Sequence, residues 1–162
     1  MFGCLGVGIP YSIVASHIFK EKKVVCVIGD GSFGFNAMEL DTAVRNKCNV
    51  CIIISNNAAW SIETHDQKLN YGNRVYGTSL RASNYAKLAE GLGCKSYRIE
   101  RPDEFKNKLK EALENTPSVI DVTTSSLALS SDAKKGLGLV PDYQALEDWD
   151  ELEKIYRKKN KQ

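Results

Sequence analysis

The sequence predicts an α/β fold in which a parallel sheet is flanked by helices on both faces. Two short apolar runs, residues 24–28 and 50–54, are separated by a helical pattern, which is the order of a βαβ unit. Neither run alternates between apolar and polar residues, as is typical of strands buried on both faces of a parallel sheet. We therefore expect both strands to end at the same rim of the sheet, where open α/β sheets bind their ligands.

Composition and charge describe one ordinary globular domain. The chain has 162 residues, 43% hydrophobic and 26% charged, which is enough to bury a core. A formal net charge of +2 is too small to indicate nucleic acid or a membrane as a partner. Five cysteines without regular spacing favour reduced thiols and a cytoplasmic location.

The N-terminus has the composition of a glycine loop that runs into a helix. Residues 3–8 are rich in glycine, and apolar residues then recur at helical spacing. These are Ile9, Ile13, Val14 and Ile18. The apolar start lacks the preceding positive charge of a signal peptide and is too short to span a bilayer. Because no element precedes the loop, we expect the front of a larger protein to be missing from this chain.

A second helix is predicted between the two apolar runs. Asn36 is a plausible N-cap, with Glu39 three residues later, and the apolar side follows at Leu40, Ala43 and Val44. Residues 58–82 then lose periodicity and are rich in Asn, Gly, Tyr and Arg. Irregular segments of this length are usually functional. We predict that residues 58–82 form a lid loop beside the site.

Regular patterns resume after the lid segment. Ser83 is the predicted cap of a helix that Gly93 ends, and residues 94–99 form a short strand. Pro102 starts another helix, followed by a buried strand at residues 118–123. Residues 124–141 have loop composition. A last amphipathic helix is marked by Leu146, Trp149, Leu152 and Tyr156, and residues 157–162 form a basic tail that is interpreted as a solvated end.

The turn after the first strand carries the chemistry. Residues 29–34 satisfy G-x-G-x-x-G, which raises the alternative of a dinucleotide-binding domain. A dinucleotide site needs an acidic residue at the end of the next strand, but that strand ends in Ser55-Asn56-Asn57. Asp30 would also repel a pyrophosphate unless a cation lay between them.

A divalent cation removes this conflict. Magnesium prefers about six oxygen ligands and is commonly held by one or two protein oxygens together with substrate phosphates. Asp30 and Asn57, at the ends of neighbouring strands, supply a carboxylate and an amide oxygen. The backbone N–H groups of the turn supply an anion site. The sequence therefore predicts a metal-bridged diphosphate ligand.

These residues match a family signature. Gly29-Asp30-Gly31, followed after 24 residues by Asn56-Asn57, resembles the diphosphate-binding motif of thiamine diphosphate-dependent enzymes. Two further segments are similar to the acetolactate synthase and 2-keto-acid decarboxylase group: Leu5-Gly6-Val7-Gly8-Ile9-Pro10, and Asn56-Asn57-Ala58-Ala59-Trp60-Ser61-Ile62-Glu63. The resemblance implies that residues 1–162 form the C-terminal diphosphate domain of such an enzyme, incomplete at its N-terminus and with part of the thiamine diphosphate-binding fold.

The resemblance also implies a role for individual residues. Asp30, the Asn57 side chain and the Ala59 carbonyl would bind Mg²⁺. Gly29, Gly31 and Ser32 would line the diphosphate of the cofactor, together with the metal ligands.

Three residues would take part in catalysis according to the same resemblance. The Gly3 carbonyl would accept a hydrogen bond from the aminopyrimidine, and Leu5 would hold the cofactor bent so that it can deprotonate itself. Glu63 would be an acid near the reacting carbon, with its pKa raised in a desolvated cleft. The alternatives are ordinary packing for Leu5 and a surface carboxylate for Glu63.

The implied activity is decarboxylation or ligation of 2-keto acids by a lyase or transferase. The family carries a separate pyrimidine-binding domain, which this chain lacks, and works as a dimer or tetramer. The chain alone is therefore expected to be inactive. Two alternatives stay open, which are a non-catalytic module that binds diphosphate or a partner chain, and the dinucleotide-binding domain.

Overall fold

The computed structural model of the protein describes residues 4–128 and 147–159, and these divide into two compact units. The first unit comprises residues 4–59 and 80–126. The second comprises residues 60–79 together with the described residues that follow 126. The predicted ligand set of the metal falls within the first unit.

A four-stranded parallel sheet forms the centre of the first unit. Its strands are β1 (Val24–Gly29), β2 (Val50–Asn56), β3 (Lys95–Ile99) and β4 (Ser118–Thr123), arranged in the order β1-β2-β4-β3. All three pairings are parallel, so the carboxyl ends of the strands meet at one rim. The predicted α/β fold is confirmed.

Helices lie against both faces of this sheet. On one face α1 (Gly8–Ile18), α3 (Glu39–Arg45) and α5 (Tyr85–Gly91) pack on a buried cluster. This cluster includes Ile9, Leu40, Ile52, Ala89 and Val119. On the other face α6 (Phe105–Glu114), preceded by a 3₁₀ turn over Pro102–Glu104, packs on a smaller cluster. That cluster includes Cys51, Tyr97, Ala112 and Ile120.

The prediction that the first strand is buried on both faces is wrong. Burial alternates along β1: Cys26 and Ile28 are buried, whereas Val25 and Val27 are 47% and 73% exposed. The reason is the position of β1 at the edge of the sheet. The α6 cluster draws its strand residues from β2, β3 and β4, so within the described residues the outer side of β1 lacks a helix.

Two predicted caps are also corrected. Asn36 lies at the C-terminal end of a short helix, α2 (Asp30–Phe35), and α3 begins after Met38. Its amide is used elsewhere, as described below. The N-cap of α5 is Asn84 and not Ser83, and its side chain accepts a hydrogen bond from the Lys87 N–H at 2.9 Å.

The second unit contains α4 (Ser61–Asn70) and α7 (Glu147–Lys159). The predicted loop at residues 58–82 is therefore helical over ten of its residues. Residues 71–78 form turns and loop, and the Trp60 N–H donates to the Thr78 carbonyl at 2.8 Å. Within this unit the Arg74 guanidinium lies 3.8 Å from the centre of the Tyr156 ring.

The C-terminal predictions are met in part. The last helix is confirmed over residues 147–159, and it includes the first three residues of the predicted basic tail. Residues 160–162 and most of the predicted loop at 124–141 lie outside the described residues. None of the helices in the described part of the chain has the length and apolar character needed to cross a membrane.

The exposure of the outer side of β1 can be tested by making the same substitution, Val→Thr, at an exposed and at a buried position. We expect Val27→Thr to change the free energy of unfolding by less than about 0.5 kcal/mol, because the side chain stays in water. Val119→Thr should cost about 1–3 kcal/mol, because Val119 is fully buried and the new hydroxyl loses its hydration. Urea denaturation measures both. Equal losses would show that the outer side of β1 is covered in solution.

Candidate metal and diphosphate site

The two predicted side-chain ligands follow neighbouring strands. In the β1–β2 pairing Gly29 lies opposite Ser55, so Asp30 and Asn57 both emerge at the same rim of the sheet. Asp30 is the first residue of α2, and Asn57 is the first residue after β2. The structure thus brings together the carboxylate and the amide that the sequence singled out.

Asp30 is a buried carboxylate with one oxygen left over. Its side chain is 2% exposed, and among the described residues its Oδ2 atom has no hydrogen-bond partner. Burial raises the pKa of Asp30, and this is the largest effect on it. The N–H groups of Gly31, Ala58 and Ala59 oppose the shift by hydrogen bonding to the carboxylate. A bound cation would satisfy the unpaired oxygen and stabilise the charged form.

The side chain of Asn57 contacts the same backbone N–H group as the side chain of Asp30. Its Oδ1 atom accepts a hydrogen bond from the Ala59 N–H at 3.2 Å. That N–H is also one of the groups that hydrogen-bond the Asp30 carboxylate. The two side chains therefore place oxygen atoms around a single N–H group. An amide oxygen has two lone pairs, so Asn57 can accept from Ala59 and still coordinate a metal.

The turn after Asn57 has a backbone conformation that suits this arrangement. Ala58 has a φ of +55°, in the left-handed region, and its carbonyl accepts from the Leu80 N–H at 2.8 Å. The change of direction at Ala58 allows the N–H groups of two successive residues, Ala58 and Ala59, to turn back towards Asp30. The Ala59 N–H thus lies beside the carboxylate, and the role of the Ala59 carbonyl as a metal ligand stays a prediction.

The N-terminal glycine loop is tied to α2. The Gly6 N–H donates to Ser32 Oγ at 2.9 Å, and Asn36 Nδ2 donates to the Gly6 carbonyl at 3.0 Å. Gly6 has a φ of +83°, and a Cβ atom there would lie 2.6 Å from Phe35 Cβ, so only glycine fits. These contacts hold the loop, with Leu5 half-exposed on it, against the helix that carries Asp30.

Ser32 is oriented by its contact with Gly6. Because its hydroxyl oxygen accepts the Gly6 N–H, its own O–H proton is left to donate to another group, such as a phosphate oxygen. The two glycines that are also predicted to line the diphosphate have different surroundings from each other. The Gly31 N–H is engaged with Asp30, and Gly29 ends β1 with open space where a Cβ would lie.

Two of the three residues predicted to act in catalysis lie outside the described part of the first unit. Gly3 lies outside the described residues. Glu63 lies in the second unit, in the first turn of α4, and is exposed. Within the second unit α4 has no buried residue, and the desolvated cleft expected around Glu63 stays a prediction. The catalytic role of Glu63 stays a prediction as well.

Two residues of the site were missed in the sequence. Gly6 is needed for close contact between the loop and α2, and Asn36 links the two. Gly6 had a signal in the glycine spacing of residues 3–8. Asn36 had none, because an Asn before a helical pattern is more typical of a cap.

Comparison with known proteins places the chain among thiamine pyrophosphate enzymes. Residues 1–122 match the family model described as the C-terminal TPP binding domain of thiamine pyrophosphate enzymes. The chain is 35% identical over 124 residues to an acetolactate synthase large subunit from Mycobacterium tuberculosis, covering 76% of this chain and 23% of the relative. It is 36% identical over 132 residues to an acetolactate synthase from Bacillus subtilis, covering 79% and 23%.

Other comparisons agree with this match. A 2-hydroxyacyl-CoA lyase 2 from Bos taurus is 36% identical over 103 residues, which cover 64% of this chain and 16% of the lyase. A solved structure of a thiamin diphosphate-dependent enzyme from Mycobacterium smegmatis superposes with a TM-score of 0.64 at 24% identity, over 76% of this chain and 22% of that one. The fold is therefore shared. The chain spans about a quarter or less of these proteins.

The buried charge of Asp30 should destabilise the protein when no metal is bound. Because its pKa is raised by burial, its contribution to stability is greatest below pH of about 3.9, the usual Asp value, and falls as pH rises through the folded pKa. We expect Asp30→Asn to increase the thermal unfolding temperature of the apoprotein at pH 7, and the gain to disappear under acid conditions.

The control for this test is Asp41→Asn, which removes a surface carboxylate paired with Arg45. It should leave the unfolding temperature nearly unchanged at both pH values. A lower unfolding temperature for Asp30→Asn in the apoprotein at pH 7 would contradict the expected cost of the buried charge.

Proposed function

Because the chain belongs to the family of C-terminal TPP binding domains of thiamine pyrophosphate enzymes, we propose that it binds thiamine diphosphate through Mg²⁺ within an enzyme that decarboxylates or ligates 2-keto acids. One observation carries this proposal. The Asp30 carboxylate and Asn57 Oδ1 surround the same N–H group, and the second Asp30 oxygen is buried without a partner among the described residues.

The donor set has the chemistry of a magnesium site. In this proposal Asp30, the Asn57 side chain and the Ala59 carbonyl supply three oxygens. Magnesium prefers about six oxygen ligands in an octahedron, and it usually keeps waters and substrate phosphates among them. Three protein oxygens leave positions for two phosphate groups, so the metal would join the cofactor to the protein.

The cofactor's diphosphate and rings would lie against α2 and the glycine loop. Ser32 would donate its hydroxyl proton to a phosphate oxygen, and the open space at Gly29 would allow close approach of the diphosphate. Gly31 is proposed to line the diphosphate as well. Leu5, on the loop that Gly6 ties to Ser32, is proposed to contact the cofactor rings. The Gly3 carbonyl is proposed as the hydrogen-bond acceptor for the aminopyrimidine.

When bound, thiamine diphosphate supplies a carbon nucleophile and an electron sink for breaking or forming a bond beside a keto carbon. The residues of this chain would hold the cofactor in place and exclude water from it. Glu63 is proposed to donate or accept a proton near the reacting carbon.

The whole protein is proposed to be a lyase or transferase similar to acetolactate synthase. Its relatives are named as acetolactate synthases and a 2-hydroxyacyl-CoA lyase, which supports the reaction class. A pyrimidine-binding domain on a segment beyond this chain, assembly as a dimer or tetramer, and a cytoplasmic location belong to the same proposal. All five cysteines are unpaired, which supports a reducing compartment.

Calorimetry tests the proposed metal dependence of cofactor binding. With the complete protein that carries this domain, we expect thiamine diphosphate to bind in Mg²⁺ and to bind at least about tenfold more weakly in a chelator. Asp30→Asn and Asn57→Ala should each weaken binding in Mg²⁺ by about tenfold or more, since the loss of a ligand costs more than about 1.4 kcal/mol.

The matched control is Asn46→Ala, which removes an exposed amide that donates to the Thr42 carbonyl of its own helix. It should bind the cofactor like the wild type. Binding of thiamine diphosphate that is equally tight without metal would contradict the proposal, and metal-independent binding of NADH would favour the dinucleotide alternative.

The role of Glu63 requires a separate measurement of turnover. In the cofactor-loaded complete enzyme, Glu63→Gln should lower kcat by about 10²–10⁴-fold, because the amide cannot transfer a proton, while cofactor affinity stays the same. Glu90→Gln changes an exposed glutamate of α5 and serves as the control. Unchanged turnover in Glu63→Gln would remove this residue from the mechanism.

A further inference from the structure

A second buried carboxylate lies beneath the candidate site. Asp121 of β4 is fully buried, and three groups from three different parts of the chain donate hydrogen bonds to it. Asn56 Nδ2 donates at 2.9 Å, the Tyr85 backbone N–H at 2.9 Å and Arg98 Nη1 at 3.0 Å. Asp121 therefore joins the ends of β2 and β3 to the start of α5.

Stability alone is a poor reason for this arrangement. A buried ion pair is often no more stabilising than well-packed apolar residues of the same volume, because both charges lose their hydration. What a buried polar network provides is a defined geometry, since every donor must meet its acceptor at hydrogen-bond distance. The hydrogen bonds of Asp121 therefore fix the positions of the segments to which its partners belong.

The first partner fixes the segment that carries Asn57. Asn56 is 4% exposed, and its amide donates to the Ser83 carbonyl at 3.0 Å as well as to Asp121. Its own carbonyl accepts from the Thr124 N–H at 2.8 Å. Both the side chain and the backbone of Asn56 are thus held, so the turn that starts at Asn57 leaves the sheet from a fixed point.

The second partner fixes the segment that carries Asp30. Tyr85, whose N–H is bound by Asp121, places its ring edge-on against Phe33, with ring centres 5.1 Å apart and planes at 66°. Phe33 is fully buried and lies three residues after Asp30 in α2, on the same face of the helix. The same carboxylate therefore supports both halves of the candidate metal site.

We propose that Asp121 is a positioning residue that sets the separation between Asp30 and the turn at residues 57–59, with Arg98 balancing its charge. It acts through Asn56 and Tyr85 and does not contact the metal. This inference rests on the proposed function, because it assigns Asp121 to the affinity of the same site for a divalent cation.

The test compares Asp121→Asn with a core variant on the same strand. Asp121→Asn keeps the shape but turns an amide NH₂ towards at least one of the three present donors. Ile120→Val removes one buried methylene from the α6 cluster. Mn²⁺ binding in the presence of thiamine diphosphate is followed by electron paramagnetic resonance on the complete protein. We expect Asp121→Asn to weaken Mn²⁺ binding by roughly 10–100-fold, as for other groups that orient metal ligands. Ile120→Val should stay within about twofold of the wild type.

Amide hydrogen exchange in the apoprotein gives a readout that needs no cofactor. Exchange at Ala58 and Ala59 should be at least about tenfold faster in Asp121→Asn than in Ile120→Val, since the turn loses its anchor. Wild-type exchange at both amides in Asp121→Asn overturns the positioning role, whatever the site binds. Slow exchange in a wild type that fails to bind Mn²⁺ and thiamine diphosphate would instead overturn the proposed function.

A second variant tests the positioning role of Asp121 if Asp121→Asn does not fold. Asn56→Ala removes one donor to Asp121, together with the bond from the Asn56 amide to the Ser83 carbonyl, and Asp121 keeps its bonds to Arg98 and Tyr85. Weaker Mn²⁺ binding together with faster exchange at Ala58 and Ala59 supports the proposal. Unchanged values of both in Asn56→Ala overturn it.

Discussion

The parallel pairing of β1 with β2 is the constraint on which the site depends. Parallel strands joined by a crossover end at the same rim, and here the register puts Gly29 opposite Ser55. Asp30 directly follows Gly29, and Asn57 follows Ser55 by two residues, just beyond the end of β2. A shift of the register by one residue would turn the alternating side chains to the opposite face and separate the two oxygens.

The rim is built at some expense of stability. Asp30 is buried with an unpaired oxygen, and Ala58 holds a left-handed backbone conformation that costs of order 1 kcal/mol for a residue with a Cβ. Both features are unfavourable in a protein without a ligand, and under the proposed function a bound cation would pair the Asp30 oxygen. Such local departures from packing rules are concentrated at functional sites.

A polar layer beneath the rim holds the segments that carry the candidate ligands. Arg98, Asn56 and the Tyr85 N–H surround Asp121, and the aromatic contact between Tyr85 and Phe33 extends the layer to α2. The ligands of the candidate site thus lie on segments that are anchored in the sheet. Preorganised ligands lose less conformational entropy when a metal binds.

The sequence by itself determined the fold class, the strands and the choice of Asp30 and Asn57, because apolar runs and the spacing of short motifs are local properties. Only the tertiary structure decided the exposure of Val27 at a sheet edge, the helix at residues 61–70, and the use of Asn36 to bind the Gly6 loop. The function of Asp121 was hidden for the same reason. Its partners are 23 to 65 residues away in the chain, and only folding brings such distant groups into contact.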